Sequence, residues 1–363
     1  MTPPDFGRFF LPGPTEVHPD ILAAMQRPMI AHRGQDMSNL LAGMQPGLQK
    51  LFRTARPVLI GTCAATGFME MAIRSGVRHR VLSLVGGAFG HRFAAIARSC
   101  GRDVVQLDVP LGKTVEPDML RDALQRSQVD AVTLVHSETS TGALAPLEEL
   151  APVVREFDDI VLLVDAVTSM AGSPVETDAW QLDFVLTGSQ KALALPPGLA
   201  LAAASEKMIQ RAQDVPERGA YLDVVAYDEA ARNNQPTNTP AISFLYALDA
   251  QLKRIEENGG IEPRWERHRA MRERVEQWVD DKSATLGLGF LPVQDRRSWT
   301  VSCVTLPDGK NGRSVAQQCR ERGWTIGSGY GDLKEKTIRI GHMGDHTPDG
   351  VDQVLAVLEE VLR

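Results

Sequence analysis

Cysteine is scarce in this chain and unpatterned. The only four among 363 residues are Cys63, Cys100, Cys303 and Cys319. None forms a CxxC and none has metal-ligand spacing, so no metal site is expected and reduced thiols of a cytoplasmic protein are. A basic excess is missing too. Lys and Arg total 39 against 46 Asp and Glu, a net charge of −7. That disfavours nucleic acid or an anionic membrane as the main partner. No apolar run reaches the roughly 18 residues a membrane-spanning helix needs. The first 20 residues hold five prolines where a signal peptide needs an apolar helix. Neither GxxxxGK[ST] nor a GxGxxG after the first strand occurs, against a nucleotide hydrolase or a dinucleotide dehydrogenase.

What is present is alternation. Residues 1–20 read as an extended arm, followed by an amphipathic helix between Pro19 and Pro28. Strand runs then alternate with helical ones: RPVLIGT, HRVLSLVGG, RDVVQLDVP, DAVTLVHSE, DIVLLVDAV, DFVLTGSQ and GLALAAAS are strands, with helices such as GFMEMAIRSGV and PLEELAPVVREF between them. Short β-branched runs separated by helices predict a mostly parallel sheet covered on both faces. Gly259-Gly260 ends a helix, and a shorter alternation comes after it. The expected organisation is an arm at 1–20, a large α/β domain at 21–259 and a smaller α+β domain at 260–363.

The stretch VLTGSQKALALPPGLALAAAS, residues 185–205, holds one lysine, Lys191, and no other charge. An unpaired ammonium in an apolar run is displaced outward, paired, or kept neutral for chemistry. Snorkelling out of a strand end is the bland alternative. The other strand ends resolve the choice. Small residues Cys63–Gly67 open a helix whose free N–H groups suit a phosphate. Phe89 comes after one strand, TSTG after another, and Asp165 after a third. In such sheets ligands bind beyond the carboxyl ends of the strands. A lysine, a carboxylate and an aromatic beside a phosphate cradle suit pyridoxal 5′-phosphate. The lysine bonds to it covalently and the Asp keeps its ring nitrogen protonated.

GSQKALALPPG, with LLVDAVTS, HSETSTG and FLPGPTEVHP, resembles the class V aminotransferases of the fold-type I pyridoxal phosphate enzymes. The nearest likeness is to the alanine–glyoxylate and serine–glyoxylate group, and it spans nearly the whole chain. The resemblance implies that Lys191 carries the cofactor and that Asp165 partners its ring nitrogen. Val167 and Phe89 would cover the ring faces, with Phe89 where relatives often have tryptophan. Thr139 would bond near the ring hydroxyl. The N–H groups of Ala65 and Thr66 and the Gln190 side chain would hold the phosphate. Thr239 would serve the neighbouring subunit's phosphate in a homodimer with shared sites; a tyrosine some relatives carry three residues earlier is Pro236 here. Arg339 would fork onto the substrate carboxylate. His32 and Arg33 match a pair that resembles a substrate-phosphate clamp in phosphoserine aminotransferases, or else form a surface turn with Arg33 paired to Asp36. His342 is a helper candidate.

The resulting expectation is a transaminase of ping-pong type, moving an amino group from alanine or serine to glyoxylate or pyruvate. Its rivals are a phosphoserine aminotransferase and, more distantly, a lyase or cysteine desulfurase of the same fold. Neither Cys303, in a strand-like run, nor Cys319, in a helix-like one, sits in the mobile loop a desulfurase needs.

Overall fold

The structure is a computed structural model, and it describes residues 6–363. The first five residues of the expected arm lie outside it. In chain order the first elements are β1 (Phe9–Phe10), α1 (Pro19–Ala24), α2 (Gln35–Phe52), β2 (Val58–Gly61), α3 (Ala65–Gly76), β3 (Arg80–Val85), α4 (Ala88–Ser99), β4 (Asp103–Asp108), α5 (Pro117–Arg126) and β5 (Ala131–Val135). Next come β6 (Ser137–Glu138), β7 (Ala143–Leu144), α6 (Leu147–Arg155), β8 (Val161–Asp165), β9 (Phe184–Gly188), β10 (Ala200–Ala204), α7 (Glu206–Gln213), α8 (Val224–Arg232) and α9 (Ile242–Glu257). The last stretch holds α10 (Ile261–Leu286), β11 (Gly289–Phe290), β12 (Ser302–Thr305), α11 (Gly312–Glu321), β13 (Thr325–Ser328), β14 (Thr337–Ile340) and α12 (Pro348–Leu362).

Seven strands form the large sheet in the order β2-β10-β9-β8-β5-β3-β4. The pairs from β9 to β4 are parallel, and β10 runs antiparallel to both β2 and β9. The strand VLLV of β8 shows why the run is continuously apolar. Leu162 and Val164 face the core under α2, α6 and α9, while Val161 and Leu163 face the core under α3 and α7. A strand covered on both faces has no polar side.

A second sheet, β1-β13-β14-β12-β11, carries α10, α11 and α12 over a separate apolar cluster that includes Val275, Trp324, Ile338 and Leu358. Gly259 and Gly260 both take positive φ (+93° and +97°) at the turn into α10, a conformation glycine adopts without Cβ strain. The arm is less free than expected. Phe9 and Phe10 pair in parallel with Thr325 and Ile326, so the chain's start is an edge strand of the second sheet.

Sequence patterning assigns no helix to 35–52, and Pro46 argues against one. The helix forms because Met37, Leu41, Met44, Leu48 and Leu51 recur at helical spacing and all are buried. Its Gln45 side chain brackets edge strand β2. The Gln45 amide donates to the Val58 carbonyl, and the Val58 N–H donates to Gln45 Oε1, each at 2.9 Å.

Candidate active site

Because β2, β3, β5, β8 and β9 share one direction, the segments leaving their carboxyl ends converge. They line a cavity of about 180 Å³ whose walls include Ala65, Thr66, Phe89, Thr139, Asp165 and Lys191.

Lys191 sits three residues beyond β9, in a turn tied back on itself: the Ser189 N–H donates to the Leu199 carbonyl at 3.0 Å and Leu195 N–H to the Ser189 carbonyl at 3.0 Å. Its side chain is only 6 % exposed. Nζ donates to the Pro12 carbonyl and stands 5.9 Å from the Phe89 ring centroid. Among the described residues no carboxylate lies within 4.0 Å of it. Burial, helped by the Arg339 charge, pulls its pKa down to about 7, against the opposing pull of Asp165 and Glu138. Gly13 packs over it at φ +96°, a conformation that favours glycine, and a Cβ there would come within 2.4 Å of Lys191 Cδ and Cε. So the arm closes one side of the site.

Asp165 ends β8. The Val167 N–H donates to its Oδ1 at 2.8 Å, which aims the carboxyl and places Val167 on the cavity wall. Burial, reinforced by Glu138, pushes its pKa up to about 6. Beside it the hydroxyls of Thr139 and Thr168 are 2.5 Å apart. At the far end, α3 begins at Ala65 with no side-chain cap. The N–H groups of Ala65 and Thr66 have no acceptor among the described residues, and Gln190 lines the same end. A Cβ on Gly188 would lie 2.6 Å from Gln190 Oε1, so this glycine makes room for the amide.

Arg339 approaches from β14 of the second sheet and stands beside the cavity rather than in its lining. Its Nε donates to the Ser328 carbonyl at 2.9 Å and its Nη1 to the Thr139 carbonyl at 3.2 Å. No carboxylate pairs with it among the described residues. Burial draws its pKa downward. Tyr330 lies under the guanidinium, 5.5 Å from Cζ to ring centroid.

Four more expected residues also stand outside the cavity lining. Thr239 is exposed in the segment before α9 and is not part of the lining. His32 and Arg33 occupy a turn before α2, also outside the lining, and Arg33 makes no ion pair with Asp36 among the described residues. His342 is wholly buried and accepts from or donates to Ser302 Oγ at 2.9 Å; burial takes its pKa to about 3, so it carries no charge toward the cavity.

Sequence reasoning missed two groups. Arg92 lies one helical turn after Phe89, with Cζ 4.7 Å from that ring, and its spacing alone offered the signal. Glu138, inside HSETSTG, is buried against the start of α4; a carboxylate in a run of hydroxyls and small residues was the only trace of it.

The donor set fits a flat, phosphorylated, cationic ring. Unbonded helix N–H groups suit the phosphate. A buried carboxyl raised to about 6 and lacking a cationic partner suits a ring N–H. An amine lowered to about 7 suits covalent attachment. The comparisons agree. The sequence profile of the family Aminotransferase class-V matches residues 87–354. An uncharacterised aminotransferase of Methanocaldococcus jannaschii is 36% identical over 97% of this chain and 92% of its own length. The alanine–glyoxylate aminotransferase of Rattus norvegicus is 30% identical over 97% of this chain and 86% of its own. The crystal structure of an alanine–glyoxylate aminotransferase from Nostoc sp. superposes with a TM-score of 0.92 at 32% identity, covering 100% of this chain and 96% of that one.

Proposed function

This chain belongs to the class-V aminotransferases, and we propose that it moves the amino group of a small amino acid, alanine or serine, to a 2-oxo acid such as glyoxylate or pyruvate, in two half-reactions on bound pyridoxal 5′-phosphate. One observation carries the reading: Lys191 is buried without a carboxylate partner in the cavity that also holds Asp165, and its pKa is drawn down to about 7. An amine so placed is both nucleophile and base near neutrality.

When bound, the cofactor supplies a covalent hold on the substrate nitrogen and an electron sink. Asp165 would keep a ring nitrogen's proton in place, because a cation beside this carboxylate would relieve the cost of its burial. Lys191 Nζ would be the base that takes up the substrate Cα proton and gives it back. Phe89 and Val167 would hold the ring between them and the Thr139 hydroxyl would bond beside it, all three standing on the cavity wall. The N–H groups of Ala65 and Thr66 and the Gln190 amide would hold the phosphate. Arg339 forks onto the substrate carboxylate; its two bonds to backbone carbonyls fix its plane before substrate arrives. In a homodimer Thr239, exposed here, completes the phosphate site of the second copy.

Relatives named serine–glyoxylate and alanine–glyoxylate aminotransferase support a short substrate over phosphoserine. Neither C-terminal cysteine suits the desulfurase reading. Cys303 and Cys319 are buried and burial raises both thiols to about 11, far from the thiolate that chemistry needs.

The test is an amino-donor screen on purified protein, read as the spectral change from aldehyde to amine cofactor. Alanine or serine should convert the spectrum, and glyoxylate or pyruvate should restore it. Conversion by neither donor would overturn the substrate assignment.

A further inference from the structure

Helix α4 carries Phe89 and Arg92 into the active site, yet its own N-cap, Gly87, offers no side chain. Its first turn is capped instead from the β6–β7 hairpin. Ala88 N–H donates to Ser140 Oγ at 3.0 Å, and the N–H groups of Phe89 and Gly90 donate to Glu138 Oε2 at 3.0 and 3.1 Å. The other carboxylate oxygen, Oε1, accepts from the Ser140 N–H at 3.1 Å and from Ser140 Oγ at 2.5 Å. The fit leaves no slack: a Cβ on Gly87 would lie 2.6 Å from both Glu138 Cγ and Ser140 Oγ. Glu138 is 4 % exposed, and among the described residues no Lys, Arg or His nitrogen stands within 4.0 Å of it. Four hydrogen bonds and the positive end of a helix stand in for a counter-ion.

The same turn does more than hold α4. Thr139, the next residue, places its hydroxyl against Thr168 and offers its carbonyl to Arg339. One buried carboxylate therefore sets the Phe89 wall, the Thr139 hydroxyl and the inner anchor of Arg339 relative to one another.

We propose that Glu138 is a positioning residue of the transamination site, registering Phe89 and the Thr139–Arg339 contact and supplying a fixed negative charge to the chamber around Lys191. The inference rests on the roles of Lys191 and Arg339 in the proposed transamination. The charged groups that act on Lys191 are Asp165 from β8, Glu138 from the hairpin, Arg92 from α4 and Arg339 from β14; the two carboxylates favour its protonated form and the two arginines oppose it. Glu138→Gln removes one of the two carboxylates at nearly constant shape.

The experiment uses cofactor-free and cofactor-loaded protein side by side. In the cofactor-free form, labelling of Lys191 by acetic anhydride is followed against pH by peptide mass spectrometry. In Glu138→Gln the labelling midpoint should fall by at least half a pH unit, since a cation loses a nearby negative charge. Cofactor Kd should weaken at least fivefold. A drop in Tm with both midpoint and Kd unchanged would overturn the proposal, because a purely structural cap would do that. Glu138→Asp keeps the charge but shortens its reach, and stands in should the amide variant not fold. Its midpoint should stay within about 0.3 pH units of the parent while cofactor Kd weakens at least fivefold, and an unchanged Kd would overturn the proposal equally. Failure of the parent protein to label at Lys191, or to bind cofactor there, would instead sink the assignment of Lys191.

Discussion

Replacing Arg339 by leucine separates substrate recognition from cofactor binding. The guanidinium spends Nε on the Ser328 carbonyl and one Nη1 hydrogen on the Thr139 carbonyl, leaving Nη2 without a protein acceptor among the described residues. Its charge is half-buried and faces no protein carboxylate. A carboxylate arriving there is met by a preoriented, partly desolvated fork. Losing one partner of such a contact costs about 2–5 kcal/mol. At about 1.4 kcal/mol per tenfold, kcat/KM should fall between about 30-fold and a few thousand-fold. The loss should strike both half-reactions, because amino donor and 2-oxo acceptor each present an α-carboxylate. Arg339→Lys keeps the charge and loses the fork, so it should fall between parent and leucine variant. Stopped-flow absorbance on each half-reaction measures the two constants separately, and the cofactor band reports occupancy. A loss confined to one half-reaction, or loss of cofactor with substrate affinity intact, would refute the placement of Arg339.

Asp165→Asn should cost orders of magnitude in kcat, yet stabilise the cofactor-free protein. A carboxyl raised from 3.8 to about 6 favours folding below its unfolded pKa of 3.8 relative to neutrality and burdens the fold above pH 6, so the gain should approach ~3 kcal/mol at pH 7.5 and vanish below about pH 3 in urea unfolding. No gain at pH 7.5 would show that the carboxyl is not strained by burial. Mixing Lys191→Ala protomers with Thr239→Val protomers should restore partial activity if sites are shared across a homodimer; a fully active monomer by sedimentation contradicts that. Alanine and serine should outperform phosphoserine, and a kcat/KM for phosphoserine at least tenfold higher would reinstate His32 and Arg33 as a clamp.

The alternation of apolar runs was enough to place the strands of the large sheet along the chain and to see that Thr66, Phe89, Asp165 and Lys191 leave it at one edge, because that information is local: periodicity, glycine stops and the residue types at each strand's carboxyl end. What escaped was set by distant partners. β10 reverses direction between β2 and β9, which its run of alanines does not encode. Phe9 and Phe10 join a strand more than 300 residues away, so a proline-rich arm gave no hint of pairing. α2 survives Pro46 through tertiary burial of its apolar face. Glu138 acts by capping a helix 49 residues upstream, a contact with no sequence period. The residue types that line the cavity were legible in the sequence; the means of holding them in register was not.

The central claim is that Lys191 carries the chemistry, and borohydride reduction tests it most directly. Purified protein reduced in the presence of pyridoxal 5′-phosphate, digested and mapped by mass spectrometry should show the cofactor fixed on the peptide containing Lys191, and Lys191→Ala should yield neither label nor turnover. Label on a different lysine, or turnover surviving in Lys191→Ala, would contradict that claim.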